Sequence, residues 1–114
     1  MGGNYVECRD KNFTADIELA DSFLKRFKGL MFRKEMPKGK ALLLKHCNSV
    51  HCCFMKFTID VLYLDKNYVI LYKETLKPWS IGKITAGTKS VLELSEGQAE
   101  FLEKGDKLDI FIRK

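Results

Sequence analysis

The apolar segments of this chain are short, and each stops at turn-forming residues. That spacing is what most limits the folds open to it. Tyr5–Arg9 reads as a strand and Asp10-Lys11-Asn12 as turn chemistry. Phe13–Leu19 then alternates, with Ala15, Ile17 and Leu19 on one face and Thr14, Asp16 and Glu18 on the other. A period of two marks a half-buried strand, expected to pair with the first as a hairpin. Ala41–His46 and His51–Met55 read as strands around a tight turn at Cys47–Val50. Ile59–Leu64 is a continuous apolar strand, Asp65-Lys66-Asn67 a hairpin turn, and Tyr68–Lys73 the return. Lys77-Pro78-Trp79 opens a loop, after which Lys89–Leu94 and the alternating Leu108, Ile110 and Ile112 are further strands.

Two short helices are predicted among them. Asp21 or Ser22 can cap one running to Lys28, with Phe23, Leu24 and Phe27 inward and Gly29 as its stop. Ser95 and Gln98, three apart, resemble a capping box that opens a second helix ending near Gly105. The predicted fold is α+β and mostly β: a single small antiparallel, barrel-like sheet of seven or eight short strands with two short helices over an open end or side. Doubly wound α/β is disfavoured, because helices do not alternate with strands.

A chain of 114 residues with 46% apolar content supports one domain over residues 1–114 and one modest core. No run approaches the roughly 18 apolar residues that a membrane helix requires. Met1-Gly2-Gly3-Asn4-Tyr5-Val6 has neither an apolar signal core nor the Ser or Thr at position 6 of a myristoylation signal, so a cytoplasmic monomer is expected. Four cysteines, with Cys52 and Cys53 adjacent, do not form a disulfide pattern and read as reduced thiols.

The net charge of +5 is local. Lys25, Arg26, Lys28, Arg33, Lys34, Lys38 and Lys40 stand against Glu35 alone, while the remaining 13 basic and 14 acidic residues nearly cancel. Such a patch attracts anionic partners or simply forms a solvated face. No stacking aromatics or nucleic-acid motif accompany it, so no specific nucleic-acid partner is expected.

Two segments carry a resemblance. Arg26-Phe27-Lys28-Gly29-Leu30-Met31-Phe32-Arg33 is similar to the R-x-x-G-L-M-x-R signature of the domain of unknown function 192 family, and Phe54-Met55-Lys56-Phe57-Thr58-Ile59-Asp60 resembles that family's W-M-K-N-T…D segment. Phe54 replaces the motif's Trp and Phe57 its Asn. Glu18-Leu19-Ala20, Val91–Leu94 with Gly97, and Gly105-Asp106 follow in order, so the similarity spans about residues 14–112. The resemblance implies a small β-rich barrel and no established activity.

If the two signatures meet in space, Met31, Phe54, Met55 and Trp79 line an apolar hollow and Arg33 and Lys56 rim it with positive charge, with Asp60 orienting Lys56. That hollow suits an anionic or amphipathic small ligand or a peptide, and implies no cofactor. The structural alternative pairs Lys56 with Asp60 or Glu93 and leaves the methionines in the core. His46, His51 and Cys53 fall on one face of the predicted hairpin and suggest a metal-assisted hydrolase, without a standard zinc spacing. The expected function is thus a non-catalytic binding module. The alternatives are the His/Cys hydrolase and a protein-interaction module acting through the Lys25–Lys40 patch.

Overall fold

The computed structural model describes residues 3–20, 37–47 and 57–113. They form seven strands: β1 (Tyr5–Cys8), β2 (Phe13–Ala20), β3 (Lys40–Lys45), β4 (Ile59–Leu64), β5 (Ile70–Leu76), β6 (Ser90–Ser95) and β7 (Asp109–Phe111). All belong to one sheet in the spatial order β5-β4-β6-β3-β2-β1-β7. The strand expected at residues 51–55 and the helix expected at residues 21–28 lie outside the described residues.

The sheet curls until its ends meet at one corner. Residues 68–70, leading into β5, exchange backbone hydrogen bonds with residues 105–108, leading into β7: Gly105 N–H to Ile70 O at 2.8 Å, Ile70 N–H to Asp106 O at 2.9 Å and Leu108 N–H to Tyr68 O at 2.9 Å. This closes a half-barrel and protects part of two edge strands that would otherwise offer unpaired groups to another chain.

Burial explains why the strands differ in pattern. Every residue of β4 is buried. Ile59, Val61 and Tyr63 pack on one core with Leu42, Leu44, Leu76 and Val91. Leu62 and Leu64 pack on the other with Leu43, Leu92, Leu94, Ala99, Leu102 and Leu108. A strand between two cores needs apolar residues on both faces, hence a run broken only by Asp60. On β2, Ala15 and Ile17 are buried while Thr14, Asp16 and Glu18 are exposed, as its alternation predicts.

Two expectations are corrected. The sheet is mixed, because β2 and β3 are parallel, with Ile17 opposite Ala41 and Leu19 opposite Leu43. Alternation marks a strand but says nothing of its neighbour's direction, and residues 21–39 supply the length a parallel crossover needs. Residues 95–105 do not form the expected helix; among the described residues there is no α-helix, and this stretch is a series of turns. Gln98 N–H bonds Ser95 O, and Leu102 N–H bonds Ala99 O, each three residues back. The Gln98 side chain accepts from Gly39 N–H at 2.8 Å instead of completing a capping box. Lys73, from β5, donates to Ala99 O at 3.0 Å, Glu100 O at 3.4 Å and Leu102 O at 2.5 Å, so a tertiary partner takes carbonyls that a helix would use internally. No helix among the described residues is long and apolar enough to cross a membrane.

The turn following this stretch is tied to the start of the chain. Lys11 Nζ lies 3.1 Å from both Asp106 Oδ2 and Glu103 Oε2. The Glu103 N–H first, and Lys11 after it, hold the Asp106 carboxyl below its ordinary range, against the opposing effect of burial. A carboxyl depressed in the folded state contributes stability above its ordinary value of 3.8, and that contribution is lost as pH falls through the lower folded value. Urea midpoints measured between pH 7 and pH 2 should therefore show a smaller loss below about pH 4 in Asp106→Asn than in the parent chain.

Candidate functional site

Asp60 sits at the second position of the fully buried β4 and is only 6% exposed. A buried carboxylate demands hydrogen-bond donors, and the fold supplies two. Thr75, directly opposite on β5, donates its hydroxyl to Oδ1 at 2.7 Å. Gly97 N–H donates to Oδ2 at 2.9 Å. Gly97 has φ +89, a conformation cheap only for glycine; a Cβ there would meet nothing within 4 Å, so the requirement is conformational rather than steric.

Asp60, Lys73, Glu74, Thr75, Glu96, Gly97 and Glu100 border an open hollow of about 410 Å³. Its ionisable lining is four carboxylates and one ammonium, the reverse of a positive rim. Lys73 is committed to the three carbonyls described above. Glu74 Oε2 accepts from Tyr63 OH at 2.6 Å and from Lys83 N–H at 2.9 Å. Asp60 and Lys73 tie β4 and β5 to the turns after β6, and Glu74 ties β5 to β4 and to the loop before β6. Glu93 does not join Asp60: it is 2% exposed and lies opposite Val61 and Leu42, whereas Asp60 lies opposite Leu94. Odd and even positions of a strand face opposite ways, so the two acids are on opposite faces of the sheet.

A different surface is built by residues 77–89, between β5 and β6. Ser80 N–H bonds Lys77 O at 3.1 Å, closing a turn with Pro78 and Trp79 at its two central positions. Trp79 has φ +69. Pro first and a positive φ second is the pattern of a type II turn, whose second central position favours glycine or asparagine. A bulky residue held there is strained. Thr88 N–H to Thr85 O, at 3.2 Å, closes a second turn. Between the two, Glu74 holds the Lys83 N–H, and Lys83 Nζ stands 5.3 Å from the Tyr72 ring centroid. On this anchored loop Trp79 is 64% exposed and Ile81 and Ile84 are each 78% exposed. Lys77, Lys83 and Lys89 are exposed as well, and residues 76–92 contain no Asp or Glu.

Of the residues singled out by sequence, Asp60 and Trp79 are described; Trp79 is not among the residues that border the hollow beside Asp60. Met31, Arg33, Phe54, Met55 and Lys56 lie outside the described residues. So do His51 and Cys53; His46 is exposed just after β3, with φ +57. Among the described residues no group of three His, Cys, Asp or Glu side chains is placed to hold a metal ion. From the basic segment, Lys38 and Lys40 are exposed, and Lys40 Nζ pairs with Asp16 at 3.5 Å on the open surface, a contact of little energetic weight. Sequence reasoning missed Ile81, Ile84 and Lys83. The signal was present: two isoleucines without strand alternation, in a Pro- and Gly-punctuated stretch carrying lysines and no acid.

The family DUF192, described as "Uncharacterized ACR", matches residues 5–110. A UPF0127 protein of Pyrococcus horikoshii is 34% identical over 112 residues, spanning 92% of this chain and 96% of that one. Two crystal structures share the fold. A protein of unknown function from Novosphingobium aromaticivorans superposes with TM-score 0.81 at 19% identity, covering 93% of this chain and 82% of that one. A candidate transcription regulator from Sinorhizobium meliloti 1021 superposes with TM-score 0.82 at 22% identity, covering 94% and 91%. At those identities the likeness speaks for the fold alone.

Proposed function

We propose, for a chain that belongs to the DUF192 family, a non-catalytic role: it is a small cytoplasmic binding module for anionic, amphipathic ligands. The observation that carries this reading is the loop of residues 77–89, which presents Trp79, Ile81 and Ile84 to solvent among three lysines and no acid. Large exposed apolar side chains grouped on one loop mark an interaction surface, and the lysines select for negative charge. The Asp60 hollow supports the non-catalytic half of the reading. Asp60, Lys73 and Glu74 are each engaged in hydrogen bonds that tie strands, loop and turns together.

Trp79 is the single tryptophan of the chain, so its fluorescence reports on this surface directly. Titration with decanoate, kept below its micelle concentration, should shift Trp79 emission to the blue, and added salt should weaken the effect. Emission unmoved by millimolar decanoate and by anionic amphiphiles in any other form would sink the reading. On the same reading Met31, Arg33, Phe54, Met55 and Lys56 are proposed as further contacts to the ligand. Lys56→Ala should then unfold cooperatively at nearly the parent midpoint while binding decanoate more weakly. Loss of the cooperative transition would make Lys56 a structural residue instead.

A further inference from the structure

We infer that the loop of residues 77–89 docks the protein on an anionic lipid surface, with Trp79, Ile81 and Ile84 entering the headgroup region and Lys77, Lys83 and Lys89 meeting lipid phosphates. This rests on the reading of that loop as the binding surface and goes further by naming the partner: a bilayer rather than a single molecule held in a cavity.

Four observations favour it. First, a small ligand or a peptide needs walls, and pockets bury the side chains that line them. Trp79, Ile81 and Ile84, 64–78% exposed, stand out from the described surface. The hollow beside Asp60 and the smaller one of about 260 Å³ beside Lys11 and Phe101 are bordered by other residues. A bilayer supplies its own depth, so protruding groups suit it.

Second, the residue types match the interface. Tryptophan prefers the boundary between acyl chains and headgroups, isoleucine gains from the apolar side of it, and lysine keeps its ammonium among phosphates while its stem lies along apolar surface. Third, the charge is one-signed: three lysines and no carboxylate across residues 76–92. An anionic surface attracts such a loop over about a Debye length.

Fourth, the loop is held in advance. The Lys77–Ser80 and Thr85–Thr88 hydrogen bonds and the Glu74 contact to Lys83 N–H fix its course. Trp79 is kept at φ +69, where glycine would be easier. Backbone strain of this kind gathers at functional sites, and here it holds a tryptophan that is 64% exposed.

The test uses the full chain with extruded vesicles of phosphatidylcholine alone or with about one third phosphatidylglycerol. Co-sedimentation, a blue shift of Trp79 emission and quenching by lipids brominated near the headgroup end of the acyl chain are expected with the anionic vesicles. Neutral vesicles should bind far less. Each of Lys77→Ala, Lys83→Ala and Lys89→Ala should weaken binding about fivefold, the equivalent of about 1 kcal/mol per basic residue at an anionic surface. Trp79→Gly should weaken it at least tenfold with cooperative unfolding retained; should that variant fold poorly, Ile84→Asp carries the same expectation. Equal binding to neutral and anionic vesicles overturns the inference. So does a blue shift with decanoate, or with an acidic amphipathic peptide, but none with anionic vesicles, an outcome that leaves the loop as the binding surface with a different partner. Silence toward decanoate and vesicles alike removes the loop reading itself.

Discussion

Asp60→Ala should lower the unfolding free energy by about 3 kcal/mol. Two part-buried hydrogen bonds to a buried carboxylate are removed, each worth about 1.5–3 kcal/mol, and the Gly97 N–H and Thr75 hydroxyl lose that acceptor. Refilling by water and relaxation of the turn offset part of the loss. For a domain whose whole stability is about 5–15 kcal/mol, this is a large fraction. Asp60→Asn should cost less, because its side-chain oxygen still accepts one bond. The measurement is urea unfolding followed by far-ultraviolet circular dichroism, which senses the sheet. Amide exchange at Gly97 adds a local readout, since that N–H should lose protection first. If Asp60→Ala unfolds at the parent midpoint, the carboxylate is not a structural anchor. Its place in a binding site would then need to be considered afresh.

Leu62→Ala is the second large effect, about 2–5 kcal/mol. Leu62 is fully buried on β4, opposite Leu92 on β6 and Lys73 on β5. It packs in the core cluster shared with Ala99, Leu102 and Leu108, the residues that plug the half-barrel from the turns after β6. Truncation leaves a void between the sheet and those turns, and a strand paired on both sides cannot shift to fill it. The two losses should not simply add. Leu62 and Asp60 both support the turns after β6, so a double variant should fall short of or exceed the sum by about 0.5 kcal/mol or more. Leu62→Ala should leave the Trp79 emission response to decanoate intact at temperatures where the variant is folded. Loss of the Trp79 response well below the variant's unfolding temperature would tie the loop to the core.

Much of the strand inventory was legible because strand burial writes itself into the sequence locally. The alternation at residues 13–19 and the apolar run at residues 59–64 each follow from which faces are covered. The helix at residues 95–105 was misread for a physical reason. Capping boxes and turn series use the same residues, and what separates them here is Lys73, more than twenty residues away along the chain. The site was less legible still. Asp60 stood out as a charge in a buried strand, but its partners Thr75 and Gly97 are set by register and by a turn, not by sequence neighbours.

The sequence by itself determined the strands, the turn chemistry at residues 65–67 and 77–79, the local excess of positive charge and the family to which the chain belongs. These depend on residue order within a dozen positions. Tertiary structure alone decided the parallel pairing of β2 with β3, the separation of Asp60 and Glu93 onto opposite faces, and the commitment of Lys73 to distant carbonyls. It also decided which apolar residues stay outside. Ile81 and Ile84 are chemically the same as Ile59 and Ile70, and only the path of the loop between β5 and β6 keeps them from the core. Burial is a property of the folded surface, fixed by contacts distant in sequence, and residue type sets only the free energy gained when those contacts form.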